Sequence, residues 1–247
     1  MSTLKVHILR CGTIHLPASR SPLSPRTALP VWCYLIEHPT HGLLLVDTGL
    51  GTQPVSPFLT WHYRPQPGPL ITEHLQKRGF SPNDLSAVIL SDLDIDHTGG
   101  LHAIREAKRF LVSEEEYYWT VRSTFARFQP RSLWENDVTF HAYYLRGVSW
   151  GPARHALDLF GDGSVVSVLT KGHTFGSCTT VLQWNGKKLL LAGNAVRSGK
   201  TLENDRVYHP HEQEKTVCWL RETAGEESCL GILATHDPEE RERTIEL

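Results

Sequence analysis

The chain has 247 residues, of which 40% are hydrophobic and 21% charged, with a formal net charge of -2, the composition of an ordinary globular protein. It carries no basic stripe of the kind a nucleic-acid binder uses, and no apolar run approaches the roughly 18 residues of a membrane span. Met1 to Leu9 holds no apolar core of signal-peptide length. The five cysteines, Cys11, Cys33, Cys178, Cys218 and Cys229, are odd in number and widely spaced, so reduced thiols in a cytoplasmic protein are expected.

In chain order, Leu4–Cys11 reads as a strand, followed by a Pro/Ser/Arg-rich loop from Pro17 to Pro30. Val31–Glu37 and Leu43–Asp47 read as a strand hairpin about the polar turn His38–Gly42. Leu70–Arg78 reads as a helix closed by Gly79, and Ser81-Pro82-Asn83-Asp84 as a capped helical turn. Ala87–Leu90 is a short apolar strand ending in Ser91-Asp92-Leu93-Asp94-Ile95-Asp96-His97-Thr98-Gly99-Gly100. Leu101–Ala107 reads as a helix and Arg109–Val112 as a strand, and Ser113 with Glu116 reads as a capping box opening a helix through Arg122.

From Thr124 to Phe160 the pattern is weak. The aromatic residues Trp134, Phe140, Tyr143, Tyr144 and Trp150 fit either a lid or plain core packing, and core packing is the commoner use of such residues. Val165–Thr170 is a strand leading into Gly172-His173-Thr174-Phe175-Gly176. Cys178–Trp184 and Lys188–Ala192 form a second hairpin about Asn185-Gly186. His211–Thr223 is helical, and Leu230–Thr235 is a last strand ending in His236-Asp237. Alternating strand and helix signals imply α/β layers in a single domain, residues 1–247, with 124–160 as a lid or insertion.

Ligand-type residues gather at predicted strand ends: Asp47, then Asp92, Asp94, Asp96 and His97, then His173, then His236. Layered α/β folds bring such ends to one edge. Three carboxylates and an imidazole within six residues repel one another unless a cation neutralises them or water surrounds them. The flanking Val88-Ile89-Leu90 and Gly99-Gly100 put the cluster at the rim of a core. That favours a metal over the alternative, a solvated acidic turn.

These landmarks, in this order, resemble the metallo-β-lactamase superfamily, and most nearly its N-acyl homoserine lactonases. Asp47-Thr48-Gly49, a motif ending in Asp96-His97-Thr98-Gly99-Gly100, Gly172-His173-Thr174, Gly193-Asn194 and Thr235-His236-Asp237 carry the likeness, with Pro30–Leu35 and Leu44–Gly49 resembling the N-terminal part of the lactonases. The resemblance implies a four-layered αβ/βα sandwich and a hydrolase of a small ester, lactone or thioester dependent on one or two divalent ions (Zn, Mn or Fe). It implies metal ligands at Asp92, Asp94, Asp96, His97, His173, Asn194 and His236. It also implies catalytic roles for Asp96, orienting the attacking water, and for Arg197, which stands where lactonases carry a tyrosine.

The departures from that family are specific. Asp92 and Asp94 replace two histidines which, with the match to His173, hold the first metal. Asn194 replaces the aspartate that bridges both. The set matching the second metal, Asp96, His97 and His236, is intact, so occupancy is expected to favour that position. Carboxylates in place of imidazoles shift preference from Zn toward Mn, Fe or Mg. Two other readings stay open: a differently metallated enzyme, and a protein that keeps the fold and binds a ligand without hydrolysis.

Overall fold

The structure is a computed structural model that describes residues 2–17, 26–122, 130–202, 207 and 209–247. Strands β1 (Lys5–Pro17) and β2 (Arg26–His38) form a long antiparallel pair, and β2 turns tightly into β3 (Gly42–Val46). Helices α1 (Pro57–Tyr63) and α2 (Ile71–Gln76) follow, then β4 (Leu85–Ile89), the four-residue helix α3 (Ile95–Thr98), β5 (Phe110–Ser113), α4 (Glu114–Arg122) and β6 (Phe140–Tyr143). The second half supplies β7 (Ala156–Asp158), β8 (Val165–Leu169), β9 (Cys178–Trp184), β10 (Lys187–Leu191), α5 (Pro210–Ala224), β11 (Cys229–Leu233) and β12 (Arg243–Glu246). These make a seven-stranded sheet, β12-β1-β2-β3-β4-β5-β6, and a five-stranded sheet, β11-β10-β9-β8-β7.

Side-chain alternation makes the layers. On β2, Trp32, Tyr34 and Ile36 face one core, whereas Val31, Cys33 and Leu35 face another. The first core lies between the sheets, where Val6, Ile8, Leu44, Val46 and Ile89 meet Val165, Leu182, Leu189 and Leu191. The second joins the seven-stranded sheet to Leu59 and Tyr63 of α1 and Ile71 and Leu75 of α2. On the far side Trp219 and Leu220 of α5 cover Val166, Val168, Val181 and Leu190. Strands buried on both faces read as continuous apolar runs, which is why Leu43–Val46 and Ala87–Leu90 are legible as strands. The expected four-layered αβ/βα arrangement is the one observed.

Several boundaries differ from the sequence reading. Of the loop expected over Pro17–Pro30, residues 18–25 lie outside the described residues, while Arg26–Pro30 is strand, paired through Ala28 with His15 and through Pro30 with Thr13. Along β2, strand β3 pairs with Tyr34–His38, so Pro30 sits where its missing N–H breaks no ladder with β3. The expected helix Leu101–Ala107 is a 3-10 turn over Leu101–Ile104. The chain must enter β5 in register with Val88, which leaves no length for more. Cys229–Leu233 is not the last strand: β12 follows and pairs with β1. Its sequence, Arg243-Thr244-Ile245-Glu246, holds one apolar residue on a mostly exposed edge. Short, charged edge strands of this kind give no period-two signal.

Residues 124–129 of the supposed lid lie outside the described residues. The remainder supplies edge strand β6 to one sheet and β7 to the other. Its aromatics are mostly core: Trp134 is buried beside Phe140, Trp150 packs edge-on against Trp219 at 5.6 Å, and the Tyr143 hydroxyl lies 2.7 Å from Ser167 Oγ. Tyr144 alone among these is largely exposed.

Candidate metal centre

Strand C-termini from both sheets meet at one edge. There the chain leaves β3 at Asp47, β4 at Ser91, β8 toward His173, β10 toward Asn194 and β11 toward His236. Glycines permit the approach. A Cβ on Gly51 would lie 1.9 Å from the Gly99 carbonyl oxygen, and one on Gly100 would lie 2.4 Å from that of Thr48. Thr48 fastens the two loops, its hydroxyl donating to the His97 carbonyl at 2.7 Å and accepting from Gly100 N at 3.1 Å.

Asp92, Asp94, Asp96, His97, His173, Asn194 and His236 converge here, and none is more than 5% exposed. Asp94 Oδ2 lies 3.3 Å and Asp92 Oδ2 3.9 Å from His173 Nε2. His97 Nε2 lies 3.4 Å from Asp96 Oδ2 and 3.6 Å from Asp92 Oδ2, and His236 Nε2 lies 3.0 Å from Asp96 Oδ2. The Asn194 amide nitrogen sits between the two halves, 2.8 Å from His97 Nε2 and 3.3 Å from His173 Nε2. Arg197 is half-buried, three residues further along.

Each imidazole of the intact set is turned by a partner on its other nitrogen. His97 Nδ1 lies 2.8 Å from Asp47 Oδ2, and His236 Nδ1 lies 2.8 Å from the Pro30 carbonyl oxygen. Donation through Nδ1 leaves Nε2 as the nitrogen presented to the centre, the arrangement that orients ligating histidines. Asp47 adopts a left-handed φ of 61° and also accepts from Ser91 N and Ser91 Oγ.

Charge explains the titration of the cluster. Burial pushes the Asp92 carboxyl up to about 6, with His97 opposing and Asp94 reinforcing the shift. Burial alone would lower His97, but Asp92, Asp47 and Asp96 outweigh it and hold the imidazole well above its ordinary value. Asp96 goes the other way: burial would raise it, and His97 and His236 overcome that and keep it well below the usual carboxylate range.

Whether these residues suit a cation can be tested on their bonding. Asp92 Oδ2, both carboxylate oxygens of Asp96 and His236 Nε2 are buried without a well-formed hydrogen bond. Buried polar atoms are nearly always paired, and an oxygen-rich group with imidazole nitrogens is the chemistry of a divalent-cation site. The residues therefore fit. Among the described residues, the group of three whose ligand atoms lie within 4.8 Å of one another is Asp92, Asp94 and His173. Proximity thus favours the rebuilt position, whereas the sequence pointed to the position of Asp96, His97 and His236. The shorter aspartates still reach because their loop is drawn close to the His173 loop.

Two contributors escaped the sequence reading. Tyr63, fully buried, donates its hydroxyl to Asp94 Oδ2 at 3.1 Å. Asp47, read from the sequence as a ligand-type residue at a strand end, is the partner of His97. Glu116, as a capping-box residue, should reach back to Ser113. The Ser113 half forms, with Glu116 N donating to Ser113 Oγ at 3.1 Å, but the carboxylate points into the core toward the centre. Burial, reinforced by the charge of Asp92, pushes it up to about 8. His209 precedes α5 and stands against Phe175 at 5.7 Å, beside the His173 loop.

Two mixed sheets between helices, with carboxylates and imidazoles gathered at the strand ends, define the αβ/βα fold of metal-dependent hydrolases. The chain belongs to the metallo-beta-lactamase superfamily, whose pattern matches residues 26–227. It is 23% identical over 262 residues to the N-acyl homoserine lactonase AttM of Agrobacterium fabrum, covering 97% of this chain and 95% of that one. It is 34% identical over 130 residues to the N-acyl homoserine lactonase AiiA of Bacillus thuringiensis subsp. kurstaki, covering 47% of this chain and 51% of the relative. An N-acyl homoserine lactone hydrolase solved with N-hexanoyl-L-homoserine at its catalytic metal centre superposes with a TM-score of 0.75 at 23% identity, over 97% of this chain and 95% of the other.

Proposed function

We propose that the protein is a metal-dependent hydrolase of a small ester, lactone or thioester, with a lactone as the leading substrate class. The observation that carries this reading is the set of buried atoms on Asp92, Asp96 and His236 without a well-formed hydrogen bond, at an edge where three carboxylates and three imidazoles meet. Similarity to lactonases across nearly the whole chain supports the substrate class. Asp92, Asp94 and His173 would hold one cation, and Asp96, His97 and His236 would supply a second position, with Asn194 between them.

A divalent cation held there would lower the pKa of a bound water and polarise a carbonyl. Asp96, kept ionised by His97 and His236, would orient the attacking water. Arg197 is our candidate for the developing oxyanion. The two carboxylates at the position of Asp92, Asp94 and His173 favour Mn or Fe over Zn there. Five unpaired cysteines support a reducing, cytoplasmic setting.

The test is hydrolysis of a panel of lactones, carboxylic esters and thioesters after exhaustive chelation and after readdition of Mn2+, Fe2+ or Zn2+. The expected result is turnover that disappears with chelation and returns with metal. Turnover that survives chelation, or none with any metal, overturns the proposal.

A further inference from the structure

We propose that Glu116 is a positioning residue that sets one of the two cation positions, that of Asp92, Asp94 and His173, and not the other; this rests on the metal-dependent reading above. The three ligands of that position come from two separate loops, and Glu116 is bonded to both. Its Oε1 accepts from Leu93 N at 3.1 Å, the backbone amide between Asp92 and Asp94. Its Oε2 accepts from Thr174 Oγ1 at 2.6 Å, the residue after His173, and from Gly176 N at 3.2 Å.

The helix that carries Glu116 is pressed onto the same loop. A Cβ on Gly176 would fall 2.0 Å from Glu116 N, and Ser113 Oγ donates to the Gly176 carbonyl at 2.7 Å. Glu116 and Asp92 are fully buried, and Thr174 is buried beside them. A helix cap has no use for such burial, since capping carboxylates sit at the surface and return to their own helix. Here one carboxylate fixes the distance between the Asp92/Asp94 loop and His173. Two shortened ligands demand that closeness, because an aspartate reaches less far than a histidine.

The other position has different supports. His97 is turned by Asp47 and His236 by the Pro30 carbonyl, and neither bonds to Glu116. The two positions are therefore separable by mutation. Glu116→Gln keeps the shape but turns an amide NH2 toward backbone N–H or hydroxyl donors, so one side of the clasp is lost. Thr174→Val removes a single donor and leaves the backbone unaltered.

The experiment is Mn2+ binding by the full chain, read as ions per chain and dissociation constant by equilibrium dialysis and as the Mn2+ electron paramagnetic resonance spectrum. Partners that orient ligands typically change metal affinity by about 10–100-fold. We expect Glu116→Gln to weaken one class of Mn2+ site by that factor and change its spectrum, and Thr174→Val to weaken the same class less. His236→Ala should leave that class unchanged. Far-UV circular dichroism of the cation-free variants checks folding, and if Glu116→Gln is unfolded, Thr174→Val alone decides. Wild-type affinity in folded Glu116→Gln, or in Thr174→Val if that is the variant left, overturns the inference, as does equal weakening of both classes. A wild-type chain that takes up no divalent cation overturns the proposed function itself.

Discussion

Asp47 Oδ2 lies 2.8 Å from His97 Nδ1 with both side chains wholly buried, so the strand end of the first hairpin decides which nitrogen of His97 faces the centre. Asp47→Asn tests the charge in that contact while keeping a residue that tolerates the left-handed φ. Cation affinity at the position of His97 should fall about 10–100-fold, measured by titration calorimetry with Mn2+ and Zn2+. Unchanged affinity would show that His97 is oriented by packing alone.

The departures from the family pattern predict a change in metal selectivity. Asp92→His, Asp94→His and Asn194→Asp made together should raise zinc toward two ions per chain at matched exposure. Each single change should do less, since ligands of one centre are not additive. Elemental analysis before and after decides it, and two tightly held zinc ions in the unaltered protein would refute the premise.

The loop junction predicts a stability effect from steric contact alone. Gly51→Ala places a Cβ 1.9 Å from the Gly99 carbonyl oxygen, and only backbone movement relieves that. Overpacking of this kind costs about 1–3 kcal/mol. Urea denaturation should show a lower midpoint with an unchanged slope, and cation binding should weaken in parallel because the Asp96-His97 helix moves with Gly99.

The acid-base behaviour of the cation-free protein follows from the raised groups. Asp92, at about 6 against an ordinary 3.8, and Glu116, at about 8 against 4.5, both hold protons more tightly folded than unfolded. Their contribution is present below the ordinary values and lost as pH rises through about 6 and about 8; raised His97 acts in the same direction. Asp96, lowered, contributes above its ordinary value and loses that only in stronger acid. The cation-free melting temperature should therefore fall between about pH 4 and pH 8. Saturating Mn2+ should flatten the decline, because cation and protons compete for the same carboxylates. Calorimetric scans across that range check both slopes.

Much of this was legible in the sequence because it depends on local chemistry. Strands buried on both faces write continuous apolar runs, and Asn185-Gly186 writes its own turn. Asp92 to His97, His173 and His236 announce themselves by residue type at strand ends. What stayed hidden is relational. Glu116 looks like a helix cap until the chain folds Thr174 and Leu93 onto it, and Tyr63 looks like one more aromatic until α1 lays it beside Asp94. The edge strand β12 carries charges that give no alternation. The balance between the two cation positions depends on distances set by tertiary packing, which residue identity does not encode.

The strand ends also join the sheets directly. Cys178 N donates to the Ser91 carbonyl at 2.9 Å and Trp32 N to that of Thr235 at 3.0 Å. The backbone of one sheet is thus sewn to the backbone of the other immediately beneath the proposed ligands. Parting the layers would part those residues, and loosening them would unpick the layers. Solvent deuterium should accordingly reach the amides of Trp32 and Cys178 only when the whole molecule opens, so their exchange would report global unfolding from beside the carboxylate and imidazole cluster.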